Sequence, residues 1–240
     1  MTLNLASFAP HHANARTDGP IEPAWFKRGM HEFVSAEYGD QAACTGLVLA
    51  LLHSLHLAPC LWVSLRLAQM EHGALSARGL IPFGLDPGGL VHVCASKPID
   101  VLWAAEEALK SGAVGAVAAE IGEADFTATR RLSLAAASLG IPLLLLAPHG
   151  REGATAAQTR WRISPAPSAI NRFDPFAPGN PRWRAVLERS RTAPAEAGRH
   201  FNLEFDHETL RLLMADQLAA RPAQTHAPGP AKPTDLRRAG

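Results

Sequence analysis

MHEFVSAEYGDQAACTGLVLALLHSLHLAPCLWVSL, running from Met30 to Leu65, is the stretch whose reading decides the fold. Met30 to Val34 is short and mostly apolar, as a buried strand is, and Glu37 to Gln41 is a polar turn. The next run, Ala42 to Leu57, is too long for a strand and apolar on nearly every side, which predicts a central helix covered on more than one face. Cys60 to Leu65 returns to strand character. Thr45 to Leu65 holds no Asp, Glu, Lys or Arg, but Pro59 interrupts it where helix gives way to strand. The segment therefore reads as a buried helix followed by a buried strand, not as a membrane span.

The same alternation continues downstream. Gln69 to Gly84 reads as a short helix and a loop, GLDPGG (Gly84 to Gly89) as a turn, and Val91 to Ala95 as a third strand. Pro98 suits the first turn of a helix reaching Ser111, with Glu106 and Lys110 at favourable spacing and Gly112 as its stop. Ala113 to Ile121 is a strand of small residues. Asp125 can cap a helix over Phe126 to Leu139, which Gly140 ends, and Ile141 to Ala147 is another buried strand. After Gly150 the pattern changes to strand-like segments at Thr159 to Pro165, Arg182 to Arg191 and His200 to Met214, the last bent at Asp206 to Thr209. The expectation is an α/β fold: a mainly parallel sheet with helices on both faces and antiparallel C-terminal strands. Residues 1–28 are expected to be a mobile arm, 29–216 the folded domain, and the Pro- and Ala-rich 217–240 a disordered tail.

Bulk numbers exclude several classes. The 240 residues are 47% hydrophobic and 19% charged, so the chain is neither fibrous nor wholly disordered and is long enough to bury a core. Three cysteines, Cys44, Cys60 and Cys94, are too few and too odd for a disulfide framework and read as thiols of a reducing compartment. With no signal-peptide pattern at the start, the expected location is the cytoplasm. The net charge of +1 hides an asymmetry: residues 1–159 carry 10 basic and 14 acidic side chains, residues 160–240 carry 13 and 8. A basic C-terminal third points toward an acidic or anionic partner.

In a wound α/β chain, phosphate chemistry belongs in the first strand-to-helix turn, where backbone N–H groups and the positive helix end converge. Here that turn is SAEYGDQAACTG, Ser35 to Gly46. Gly39 and Thr45 fit a phosphate loop, but no lysine occurs between Lys27 and Lys97, and Glu37 and Asp40 add negative charge beside any triphosphate. The loop Gly39, Asp40, Cys44, Thr45 thus reads as degenerate, and the chain as a pseudo-ATPase with no catalytic set. Glu120 sits where such folds place a carboxylate for metal-bound water; without the lysine it reads as an exposed residue at the sheet's edge. His53 and His56, His92 and Cys94, and the His11–His12 pair lack the ligand spacing of zinc sites. There is no G-x-S-x-G elbow. No cofactor or metal is called for.

Two repeated triplets are more suggestive: Arg160-Trp161-Arg162 and Arg182-Trp183-Arg184. Strand alternation sends both arginines of each triplet to one face and the tryptophan to the other. Arg189 and Arg191 extend the basic face. Guanidinium forks match phosphates and carboxylates, so the six arginines are candidate contacts for a partner or nucleic acid. The alternative is a solvated sheet face. Arg130 and Arg131 read as solvent-facing.

LWAAEEALKSGAVGAVAAEI (Leu102 to Ile121), DFTATRRLSLAAASLGIPLLLL (Asp125 to Leu146) and TRWRISPAPSA (Thr159 to Ala169), with HEF at His31 to Phe33, PRWR and FDHE, resemble the ImuA proteins. These are bacterial SOS-mutagenesis factors distantly related to RecA. The resemblance spans roughly residues 29 to 214 and implies a RecA-like P-loop-type core that has lost its motor. It implies an accessory role in the SOS response to DNA damage, in translesion synthesis. The implied partners are an ImuB-type inactive relative of the Y-family polymerases, RecA and, indirectly, the alpha subunit of an error-prone polymerase. Membranes are not among them. Three alternatives stay open: a SulA-like division inhibitor acting on FtsZ, a DNA-binding module, and a live RecA-class ATPase.

Overall fold

Parallel pairing runs through the first six strands and stops there. The computed structural model describes residues 22–122 and 126–215, and within them a single sheet of nine strands. These are β1 Met30–Ser35, β2 Cys60–Leu65, β3 Leu90–Ala95, β4 Ala116–Glu120, β5 Leu143–Ala147, β6 Thr159–Ala166, β7 Arg182–Ser190, β8 His200–Asp206 and β9 Arg211–Met214. Their order is β3-β2-β4-β5-β1-β6-β7-β8-β9. Every pair from β3 to β6 is parallel, and β6 through β9 pair antiparallel. The expected α/β class, with its antiparallel end, is the class observed.

Five helices connect the strands: α1 Gln41–Leu55, α2 Arg66–His72, α3 Ala77–Leu80, α4 Pro98–Ser111 and α5 Phe126–Leu139. One apolar core lies between α1 and the sheet, with Trp62, Trp161, Trp183 and Phe205 in it; the other lies under α4 and α5. α1 is apolar on most sides because it is wedged between β1, β6 and β9. α4 and α5 have one buried stripe each, Val101, Ala105 and Leu109 on the first and Thr129, Leu132 and Ala136 on the second. Gly112 ends α4 in the left-handed conformation, φ 63°, that glycine adopts without penalty.

Some boundaries differ from expectation for local reasons. The bend expected at Asp206 to Thr209 is a tight turn that divides His200 to Met214 into two strands, with the Asp206 Oδ1 atom accepting from the Glu208 and Thr209 N–H groups. The Ala113 to Ile121 strand is confined to Ala116–Glu120, and Ile141 to Ala147 to Leu143–Ala147. The folded part begins before residue 29: Pro23–Phe26 forms a 3-10 turn and Phe26, 1% exposed, packs on Phe33 and Trp161. Residues 22–28 therefore belong to the domain. Residues 1–21, the Asp125 cap and the tail lie outside the described residues. No helix among the described residues is long and apolar enough to cross a membrane.

Candidate functional site

At the C-terminal ends of the parallel strands, beside the start of α1, lies a cleft of about 200 Å³. Gln41, Thr45, His72, Ser76 and Glu120 contribute its polar lining, and among the described residues no lysine or arginine lines it. The turn leading into α1 is a tight 3-10 turn, Tyr38–Asp40, in which the Asp40 carboxylate accepts from the Glu37 N–H at 3.2 Å. The helix end that would face a phosphate thus meets an acidic side chain of its own. A Cβ on Gly39 would meet nothing within 4 Å, so no close approach requires glycine there. Gly46 has a different use: a Cβ there would press on Trp183 at 3.2 Å, and its absence lets that indole pack against α1.

Cys44 is buried, and burial followed by the Asp40 charge pushes its thiol up to about 12, which keeps it protonated and unreactive. Burial likewise pushes Cys60 up to about 11, and its Sγ donates to the Leu57 carbonyl. Cys94 is exposed.

Glu120 is not at an exposed edge. β4 lies between β2 and β5 in the middle of the parallel ladder, so its last residue opens into the cleft. The Trp62 indole donates to Glu120 Oε1 at 2.8 Å. Burial raises the carboxyl to about 7, against the smaller opposing effect of that hydrogen bond. The sequence places Glu120 at a strand end but does not reveal which strands flank it.

The arginine face divides into residues with different fates. Both tryptophans are buried, as alternation requires, Trp161 at 1% and Trp183 at 3% exposure. Arg160 is no surface contact: it is buried and its Nε donates to Glu32 Oε2 at 2.6 Å. Arg162 pairs with Glu188, and Arg182 donates to Glu204 at 2.6 Å. Arg189 and Arg191 donate to the carbonyls of Gly153 and Thr155, at 3.1 and 3.3 Å, fastening the loop between β5 and β6. Arg184 is exposed. The binding face expected of six arginines is therefore mostly a set of internal supports. Arg130 and Arg131 are exposed, as expected, and Arg131 makes a forked surface contact with Glu106 at 2.7 and 2.9 Å.

Glu32, fully buried in β1, joins Arg160 and Arg151 and is a centre the sequence reading missed. An acidic residue inside an otherwise apolar strand was the available signal. Beside it, His31 Nε2 donates to the Arg28 carbonyl at 3.0 Å and Nδ1 accepts from the Thr159 hydroxyl at 2.8 Å. Burial lowers its pKa to about 4, opposed by the Arg28 hydrogen bond. The histidines weighed as metal ligands have ordinary partners: His53 bonds the Gly84 carbonyl and His92 the Ser64 hydroxyl, at 3.0 and 2.7 Å. Among the described residues no group of three or more His, Cys, Asp or Glu side chains is arranged to hold a metal.

Fold and site together define a wound α/β domain with a strand-end crevice at the head of its first helix, lined by no lysine or arginine among the described residues. No family model matches the chain. The chain belongs to the ImuA family. It is 34% identical over 178 residues to Protein ImuA from two strains of Caulobacter vibrioides, a match covering 68% of this chain and 70% of the relative. A KaiC-like protein from Pyrococcus horikoshii OT3 aligns in structure with a TM-score of 0.46 and 9% identity, over 78% of this chain and 88% of that one.

Proposed function

We propose that this chain is a non-catalytic, RecA-like accessory protein of damage-induced translesion synthesis. It acts as an adaptor for an inactive Y-family polymerase relative, for RecA and, through them, for an error-prone polymerase. Membership of the ImuA family supports the pathway. The observation that carries the non-catalytic half is the cleft: where a triphosphate needs a cation, the lining offers Gln41, Thr45 and a carboxyl, Glu120.

An adaptor works through its surfaces, and the sheet supplies one. β3 is an edge strand paired only with β2 among the described residues, and Leu90 to Ala95 carries neither lysine, proline nor bulge to blunt it. Val91 is 53% exposed on it, and Ile99 and Trp103 of α4, which packs on β3, are each 64% exposed. Unpaired backbone groups flanked by apolar side chains suit an extended segment of a partner protein.

Co-purification with the ImuB-type protein and with RecA tests this reading. Recovery of either supports it, and recovery of neither contradicts it. One observation favours a second reading, a residual RecA-class ATPase: Glu120 at the cleft mouth, with Thr45 and Gln41 across it. That reading requires magnesium and ATP to raise the unfolding temperature, and the adaptor reading requires that they do not.

A further inference from the structure

Between β6 and β7, residues 167–181 form a loop that shows water three large apolar side chains. Ile170 is 86% exposed, Phe173 80% and Phe176 98%. Such a cluster within seven positions is unlike scattered surface hydrophobes and marks an interaction site.

The loop has a built shape. Ile170 and Pro178 form a β-bridge, and the Ala169 N–H donates to the Asn180 carbonyl at 2.9 Å. A Cβ on Gly179 would collide with the Ala169 carbonyl, so only glycine allows so narrow a base. Asn171 Oδ1 accepts from the Phe173 and Asp174 N–H groups, and Asp174 Oδ1 accepts from Phe176 N–H, at 2.9, 3.2 and 2.9 Å. The Arg172 guanidinium lies 4.8 Å over the Phe173 ring while donating to both Glu208 oxygens. The backbone that carries the two phenylalanines is thus held in one shape, with the Phe173 ring also held under Arg172, which lowers the entropy lost on docking.

Charge distinguishes between the surfaces that aromatic tips can enter. A trough of about 560 Å³ at the foot of the loop has three carboxylates in its lining, Glu204, Asp206 and Glu208, against one guanidinium, Arg172, and the His207 imidazole. Arg182 neutralises Glu204 and Arg172 neutralises Glu208. Asp206, beside His207, makes no ion pair with a lysine or arginine among the described residues, and Asp174 on the loop above adds a second unpaired carboxylate, which leaves loop and foot together net negative. A negative foot repels nucleic-acid phosphates and anionic lipid, and attracts lysine and arginine.

We propose that the 167–181 loop is a docking knob for a partner protein: Phe173, Phe176 and Ile170 enter an apolar cleft rimmed by basic side chains. The proposal rests on the adaptor reading and names the surface that holds the polymerase-like partner. The test is binding of the full chain to three probes: the purified ImuB-type protein, single-stranded oligothymidine, and phosphatidylcholine–phosphatidylserine vesicles. The chains compared are wild type, a double Phe173→Ala and Phe176→Ala variant, and Asp174→Asn, which removes the charge while keeping an Oδ1 acceptor for the Phe176 N–H. Because these side chains are exposed, the variants should unfold at the wild-type temperature. The double variant should bind the protein partner about tenfold more weakly or worse, Asp174→Asn should also weaken it, and neither should change binding to oligothymidine or vesicles. Wild-type affinity for the protein in either variant overturns the docking knob and leaves the adaptor reading standing. So does a loss of oligothymidine or vesicle binding in the double variant. Failure of the wild-type chain itself to bind the protein overturns both.

Discussion

The two ends of one sheet solve burial differently. From β2 to β1 the strands are covered on both sides, by α1 on one and by α4 and α5 on the other, and they read as almost unbroken apolar runs such as Leu143–Ala147. From β6 to β9 the side away from α1 is covered only near the start of β6, by the loop that carries Gly153 and Thr155. Trp161, Ile163, Trp183, Ala185, Phe201 and Leu203 turn toward α1, and Arg162, Arg182, Glu188 and Glu204 turn the other way and pair. A charged side chain in the antiparallel half is therefore part of a sheet face. In the parallel half it is an exception that the fold must neutralise, and the exceptions are His31, Glu32 and Glu120.

Removing one such exception should produce the largest effect. Glu32→Ala leaves the buried Arg160 without its carboxylate and should lower stability by about 3–5 kcal/mol. Urea unfolding measures this, and a loss below about 1 kcal/mol would erase the distinction between the halves.

The titration of the other two exceptions sharpens the comparison. Glu120 has its pKa raised to about 7, so between about 4.5 and 7 the folded state binds more protons than the unfolded, and stability falls as pH rises. His31 has its pKa lowered to about 4, so between about 4 and 6.5 the unfolded state binds more protons, and stability rises with pH. The two slopes oppose each other where the windows overlap. Glu120→Gln should remove the first and expose the second, so that the variant loses stability on acidification below pH 6.5 more steeply than wild type. Chemical unfolding across pH 4.5 to 7 reads this directly, and parallel profiles would contradict it.

On the open side the effects shrink. Arg184→Glu, at an exposed position, should change stability by no more than about 0.5 kcal/mol. It is the clean probe of partner binding by the basic face, because Arg182→Glu would also set two carboxylates together at Glu204. Smallest of all, Arg131→Ala removes a surface contact to Glu106 and should leave the thermal midpoint almost unmoved in a melting curve.

What was legible in the sequence follows the same division. Cys60–Leu65 and Pro98–Ser111 match at both ends, and α5 ends at Leu139 before Gly140 as expected, because a nearly all-apolar strand is unambiguous and proline or glycine punctuates the helices. Alternation also placed Trp161 and Trp183 inside. It could not say what the arginines opposite them meet, because Glu188 and Glu204 come alongside only through strand register. Glu120 looked peripheral for a related reason: strand order, which puts β4 in the middle, is a tertiary property that the pattern of residues does not carry. That no lysine lies between Lys27 and Lys97 is plain from the sequence, whereas the contact of the Asp40 carboxylate with the Glu37 N–H in the turn before α1 is not.

The most direct test of a cleft without a cation is nucleotide binding and turnover by the purified chain. Titration calorimetry with ATP and magnesium should give no saturable heat, and phosphate release should stay at background. Magnesium-dependent hydrolysis that disappears in Glu120→Gln would contradict it.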